Sequence, residues 1–150
     1  MIIVADTSAL LAVFNPDDRD HGRCDALYHE IGGFVYSPLV ITELDHLIRE
    51  RVHYKAAKQA FCDILDRVSG PNATDYLGQL NIEDYFAARD LRERYDDMQL
   101  DLADCFAVAL ARDWDTNRIF TLDEGDFRRL APLPGGGAGF DYFQILPTDL

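Results

Sequence analysis

Two hydrophobic periods alternate along this chain. Short β-branched runs stop abruptly, and after most of them apolar residues recur every three or four positions. Ile2-Ile3-Val4-Ala5 is the first run, and it ends at Asp6. A continuous apolar run of this length reads as a strand buried on both faces, as in a parallel sheet. Ser8 to Phe14 then suits a short helix that Thr7 or Ser8 caps and Asn15-Pro16-Asp17-Asp18 breaks. Cys24, Leu27, Tyr28 and Ile31 have helical spacing across 20–31, and Gly32-Gly33 ends that helix. Phe34-Val35-Tyr36 reads as a second strand. Pro38 suits the first turn of a helix over Leu39–Arg51, with Val40, Leu44, Leu47 and Ile48 inward. A fourth helix from His53 to Val68 puts Ala56, Ala57, Ala60, Phe61, Ile64 and Leu65 on one side.

The second half repeats the scheme. Thr74–Leu80 reads as a short strand. Asn81, with Asp84 three residues on, resembles a cap for a helix through Tyr95. Asp96-Asp97 is a polar break, and Leu100–Asp113, dense in Ala and larger apolar residues, predicts a buried helix. Arg118-Ile119-Phe120-Thr121 is a further strand that ends, like the first, in a carboxylate, Asp123. Pro134–Gly139 is a glycine-rich turn without the Gly-Lys-Ser/Thr ending of a phosphate-binding loop. Phe140–Leu146 predicts an edge strand. Strands alternating with helices imply βαβ units: an α/β fold with a central, mainly parallel sheet flanked by helices. The 150 residues fit one domain, 1–150, with no internal repeat or long linker. In such sheets ligands bind beyond the carboxyl ends of the strands. Asp6 and Asp123 are therefore expected at one edge.

Charge changes the picture. Lys and Arg total 14 against 27 Asp and Glu, a net charge of −13, which argues against a general nucleic-acid-binding surface. Acids in such excess cluster around divalent cations, meet a basic partner, or serve solubility alone. No apolar run approaches the ~18 residues of a membrane span, and the N-terminus lacks the charged region of a secretory signal. Cys24, Cys62 and Cys105 form no CxxC pair, so reduced thiols and a cytoplasmic location are expected.

Four carboxylates stand apart from surface decoration. Asp6 ends a buried strand where Thr7 and Ser8 are available as caps, which leaves it for function. Glu43 lies in Val40-Ile41-Thr42-Glu43-Leu44, and spacing alone leaves it open between a site residue and an acid favoured by the helix dipole. Asp104 sits in an otherwise apolar helical segment, where a charge is costly unless paired or metal-bound. Asp101 shares its face and is either a cap or an auxiliary ligand. Asp123 follows the late strand. Asp126, three residues on, reads first as a turn residue, with a ligand role as the alternative. Carboxylates gathered at one edge repel one another, and a divalent cation removes that conflict. All-oxygen ligands select a hard ion, Mg²⁺ or Mn²⁺. Such an ion polarises a phosphodiester, helps generate the nucleophile and stabilises the leaving oxygen. Metal-assisted phosphodiester hydrolysis is the reaction class that follows.

Taken in order, Asp6-Thr7-Ser8-Ala9-Leu10, Ser37-Pro38 through Glu43-Leu44, Leu102-Ala103-Asp104-Cys105 and Thr121-Leu122-Asp123 with Asp126-Phe127 resemble a PIN domain. More narrowly they resemble the VapC toxins of bacterial type II toxin–antitoxin systems. The resemblance covers nearly the whole chain. It implies a three-layer PIN-like fold, a Mg²⁺- or Mn²⁺-dependent ribonuclease acting on RNA, a homodimer, and inhibition by a VapB-type antitoxin. By position, Asp6, Glu43, Asp104 and Asp123 match the family's acidic quartet, as catalytic and metal-binding residues. Thr7 or Ser8, and Thr121, match polar residues that support it. Asp101 and Cys105 depart from the family's usual residues without removing a quartet member.

An RNA substrate sits uneasily with the net charge of −13. Arg49, Arg51, Lys55 and Lys58, and separately Arg128-Arg129, are basic clusters that either guide RNA or form ordinary solvated helix faces. Two other functions compete. An aspartate-nucleophile phosphatase or receiver domain shares the strand-end acid, but position 8 is Ser and no Lys follows a late strand. A catalytically dead PIN module would act only through a partner.

Overall fold

The computed structural model describes residues 1–135 and 139–150. Five parallel strands form its sheet in the order β3-β2-β1-β4-β5, with β1 Ile3–Ala5, β2 Phe34–Tyr36, β3 Tyr76–Leu77, β4 Arg118–Phe120 and β5 Gln144–Leu146. Residues along each strand point to alternate faces. Ile3, Ala5, Phe34, Tyr36, Phe120 and Leu146 enter one core, beneath α1 (Thr7–Phe14), α2 (His21–Glu30), α3 (Pro38–Arg51) and α4 (Tyr54–Ser69). Val4, Val35, Ile119 and Ile145 enter the other, with α5 (Ile82–Arg94), α6 (Leu102–Asp113) and the short α7 (Glu124–Arg129). The sheet is thus the middle of three layers, as the sequence predicts.

The chain steps outward from β1 to β2 to β3, then returns to place β4 on the other side of β1. The connections diverge at the carboxyl ends of β1 and β4, which opens a crevice there. Asp6 directly follows β1, and Thr121 directly follows β4. Their strands are in register, Val4 opposite Ile119 and Ala5 opposite Phe120.

Local signals set most boundaries. Pro38 opens α3 behind Ser37, whose hydroxyl accepts from Val40 N at 3.2 Å. Asp84 caps α5 by accepting from Asn81 N at 2.8 Å. Gly33 turns the chain into β2 at φ 95°, with an added Cβ only 1.8 Å from the Met1 carbonyl oxygen, so only glycine fits.

Four expectations need correction. The strand expected over Thr74–Leu80 contracts to Tyr76–Leu77, because Asp75 is drawn inward as a buried side-chain acceptor. It binds Gly33 N, Phe34 N, the Tyr36 hydroxyl and Arg67, whose guanidinium lies 4.0 Å from the Tyr28 ring centre. In α4, Phe61 and Leu65 are 48% and 40% exposed, because the helix packs inward through the narrow stripe Ala57, Ala60 and Ile64. The short helix α7 is one that apolar spacing does not predict. The expected edge strand is confined to Gln144–Leu146, and the glycine-rich turn lies partly outside the described residues. No helix among the described residues is long and apolar enough to cross a membrane.

Candidate active site

Asp6 occupies the N-cap position of α1 without a side-chain cap bond. Its carboxylate turns instead across the β1/β4 seam. Oδ2 accepts from the Thr121 hydroxyl at 2.7 Å and from the Ser8 hydroxyl at 3.1 Å. Ser8 Oγ accepts from Leu122 N, and Thr121 Oγ1 accepts from Asp123 N, both at 2.9 Å. Two hydroxyls therefore tie the acid after β1 to the loop after β4. Ser8, expected as an alternative cap, serves this tie. Burial pushes the Asp6 carboxyl above its ordinary range, against the opposing pull of these hydroxyl donors.

Asp104 lies in the first turn of α6 and is buried. Asp123 is the N-cap of α7, and Asp126 lies in its first turn. Carboxylate oxygens from these three residues all fall within 4.8 Å of one another. Burial first, then the charges of Asp6, Asp123, Asp101 and Asp126, push the Asp104 carboxyl up to about 8. Burial and the nearby Asp126 and Asp6 raise Asp123 as well. Glu43, exposed one turn into α3, is raised by partial burial and by Asp101 and Asp6. The charge of Asp6 thus acts on Glu43, Asp104 and Asp123, though Glu43 and Asp6 lie outside the tight oxygen cluster.

Asp101 proves to be the N-cap of α6, its Oδ1 accepting from Ala103 N at 2.9 Å, while its charge still acts on Asp6, Glu43 and Asp104. Asp126, which reads in sequence first as a turn residue, stands among the clustered acids instead. A signal for it is present in the chain. Asp123, Glu124 and Asp126 precede Arg128-Arg129 in the charge order that a helix dipole favours. That order marks α7, and a helix turns Asp126 back beside its own N-cap.

The donor set fits a hard divalent cation. Every clustered atom is a carboxylate oxygen, and among the described residues no Lys or Arg forms an ion pair with Asp6, Glu43, Asp104, Asp123 or Asp126. Thr7 Oγ1 is the one buried side-chain polar atom among the described residues without a hydrogen-bond partner. It adjoins Asp6 in sequence.

A family model of the PIN domain matches residues 3–133. Ribonuclease VapC26 of Mycobacterium tuberculosis is 33% identical over 146 residues, spanning 97% of this chain and 100% of VapC26. Crystalline VapC20 of the same organism, a toxin that cleaves the sarcin–ricin loop, matches with a TM-score of 0.69 at 21% identity, over 82% of this chain and 91% of that one. A chain of the promoter-bound VapBC2 complex of Rickettsia felis matches with a TM-score of 0.65 at 14% identity, over 97% and 98%. A chain of a toxin–antitoxin complex from Klebsiella pneumoniae matches with a TM-score of 0.59 at 18% identity, over 93% and 98%. The parallel sheet with its switch point between β1 and β4, the acids gathered there, and the near full-length identity to VapC26 place this chain in the PIN-domain family, among its VapC-type members.

Proposed function

We propose that this protein is an endoribonuclease, the toxin of a toxin–antitoxin pair, hydrolysing RNA phosphodiester bonds with the help of a divalent cation, Mg²⁺ or Mn²⁺. The convergence of Asp104, Asp123 and Asp126 oxygens within 4.8 Å, beside Asp6 at the β1/β4 crevice, is the observation that carries this reading. The ribonuclease activity in the name of VapC26 supports the substrate class.

Asp6, Asp104, Asp123 and Asp126 would hold the cation. When bound, it supplies charge to polarise the phosphodiester and to offset the negative charge that builds on the phosphorus oxygens. Thr121 and Ser8 hold Asp6 in one orientation, so its carboxylate needs no reordering when RNA arrives. Glu43, exposed one turn into α3, would accept a proton from the attacking water, a role its shared electrostatic field with Asp6 supports. Water then attacks phosphorus in line, the P–O bond to the leaving ribose oxygen breaks, that oxygen takes up a proton from solvent, and no covalent enzyme intermediate forms.

The chain acts as one domain in the cytoplasm, as a homodimer, under the control of a VapB-type antitoxin. The VapBC2 complex and the Klebsiella pneumoniae toxin–antitoxin complex support the partner. Purified protein incubated with RNA tests the activity. Cleavage is expected with Mg²⁺ or Mn²⁺, lost with EDTA and lost in a folded Asp104→Asn variant. Full cleavage by that variant would overturn the assignment.

A further inference from the structure

Arg49 and Arg51 close α3, and Lys55 and Lys58 lie in the first turns of α4. All four are exposed. They meet at the corner between two helices that pack against each other, and Lys55 and Lys58 are the only lysines in the chain. Elsewhere arginines are mostly held by carboxylates, as Arg89 is by Asp90 and Arg128 by Asp149. These four cations form no ion pair with any described residue. Glu50, the acid between the two arginines, faces His46 instead, at 3.5 Å.

Tyr54 stands in the middle of this corner and is 63% exposed. Arg49 Cζ lies 5.6 Å from its ring centre, and Lys58 Nζ lies 5.8 Å from it. The exposed ring thus gathers two cations over its face by cation–π attraction and, with Arg51 and Lys55, presents a concentrated cationic surface that suits the phosphates of a single strand. The corner follows Glu43 along α3 by six to eight residues, about 9–12 Å at ~1.5 Å per residue. A single RNA strand bound at the acids can reach it within a few nucleotides.

We infer that the α3–α4 corner, Arg49, Arg51, Tyr54, Lys55 and Lys58, is a second RNA-binding site, which holds single-stranded substrate about two helical turns along α3 from Glu43. The inference rests on the ribonuclease reading for its substrate class. Charge complementarity selects the occupant. A surface of net charge −13 repels phosphate almost everywhere, so RNA must be admitted where cations lie unneutralised. A merely apolar partner would not account for four cations with no carboxylate opposite.

Fluorescence anisotropy of a labelled 20-nucleotide single-stranded RNA, in EDTA and across a salt series, tests the site. Arg49→Gln with Lys58→Gln is expected to weaken binding at least about tenfold and to lower the slope of log affinity against log salt by ~0.7 for each phosphate no longer neutralised. Tyr54→Ala, which releases Arg49 and Lys58 from the ring that gathers them, is expected to weaken it by a smaller factor. Lys58→Arg and Tyr54→Phe restore binding. The side chains are exposed, so an unchanged melting temperature verifies that each variant is folded. Unchanged RNA affinity and salt slope, or loss of affinity only for a polyglutamate peptide, would overturn the proposal. Wild-type protein that cuts RNA while the corner variants bind it normally removes this site and keeps the ribonuclease. Wild-type protein that binds RNA through the corner but never cuts it removes the activity and keeps the site.

Discussion

The Thr121 hydroxyl reaches across the sheet seam to Asp6 Oδ2 at 2.7 Å while accepting from Asp123 N at 2.9 Å. One side chain thereby fixes two acids that lie far apart in sequence. Thr121→Val keeps the shape and removes both bonds. Each hydrogen bond taken from a buried partner costs about 1–3 kcal/mol, so denaturant unfolding is expected to show a loss of that order. Removing a group that orients a metal ligand typically costs ~10–100-fold in metal affinity or activity, and titration with Mn²⁺ checks that.

Asp104 makes the stability of the metal-free protein depend on pH. Its carboxyl titrates near 3.8 when unperturbed and is pushed up to about 8 in the fold. Between those values the folded state holds a proton that the unfolded chain has released. Stability therefore falls as pH rises through that window. Thermal melts in EDTA are expected to show a lower melting temperature at pH 8 than at pH 5, and Asp104→Asn flattens the difference. Added Mg²⁺ acts in the opposite sense, raising the melting temperature more at pH 8, where its ligands are ionised. A flat profile in the parent protein would remove Asp104 from the coupled cluster.

Asp126→Asn distinguishes a clustered acid from a turn residue. Loss of one of three carboxylates within 4.8 Å is expected to weaken divalent binding as much as Asp123→Asn does. It should also relieve the repulsion on Asp123 and leave the apoprotein at least as stable. Isothermal titration with Mn²⁺ on both variants reads the comparison.

Gly33→Ala is expected to be severe. The φ of 95° alone costs a side-chain-bearing residue about 1–3 kcal/mol. The new Cβ would also meet the Met1 carbonyl oxygen at 1.8 Å, so the start of β1 must move. Circular dichroism is expected to show a large drop in melting temperature or loss of the fold.

Arg67→Met strands Asp75, a fully buried carboxylate, beside the hydroxyl pair Tyr28 and Tyr36. Breaking such a pair costs about 3–5 kcal/mol. Cleavage per folded molecule should be unchanged, because the network lies outside the acidic crevice. A loss of activity without a loss of stability would tie it to function instead.

The sequence displays the strands and helices that stand on strong periodicity, and it displays the three acids Asp6, Asp104 and Asp123 because each interrupts an apolar run. What it hides is pairing. Ser8 and Thr121 look like generic polar residues until β1 and β4 lie side by side. Asp75 looks like a strand residue until Arg67 arrives from α4. Asp126 looks like a turn because α7 spans only Glu124–Arg129, too short for apolar spacing to register. Phe61 and Leu65 fit an inward helical stripe by period alone, and only the close approach of α3 to Ala57 and Ala60 turns them out.

The order of strands in the sheet has a consequence for synthesis. Asp6 is synthesised well before Asp123 and Asp126, and Thr121 N is fixed by the Leu146 carbonyl oxygen of β5. A chain that has not yet produced β4 and β5 cannot assemble the crevice, so the acids of a nascent molecule come together only after these late strands have emerged and docked beside β1.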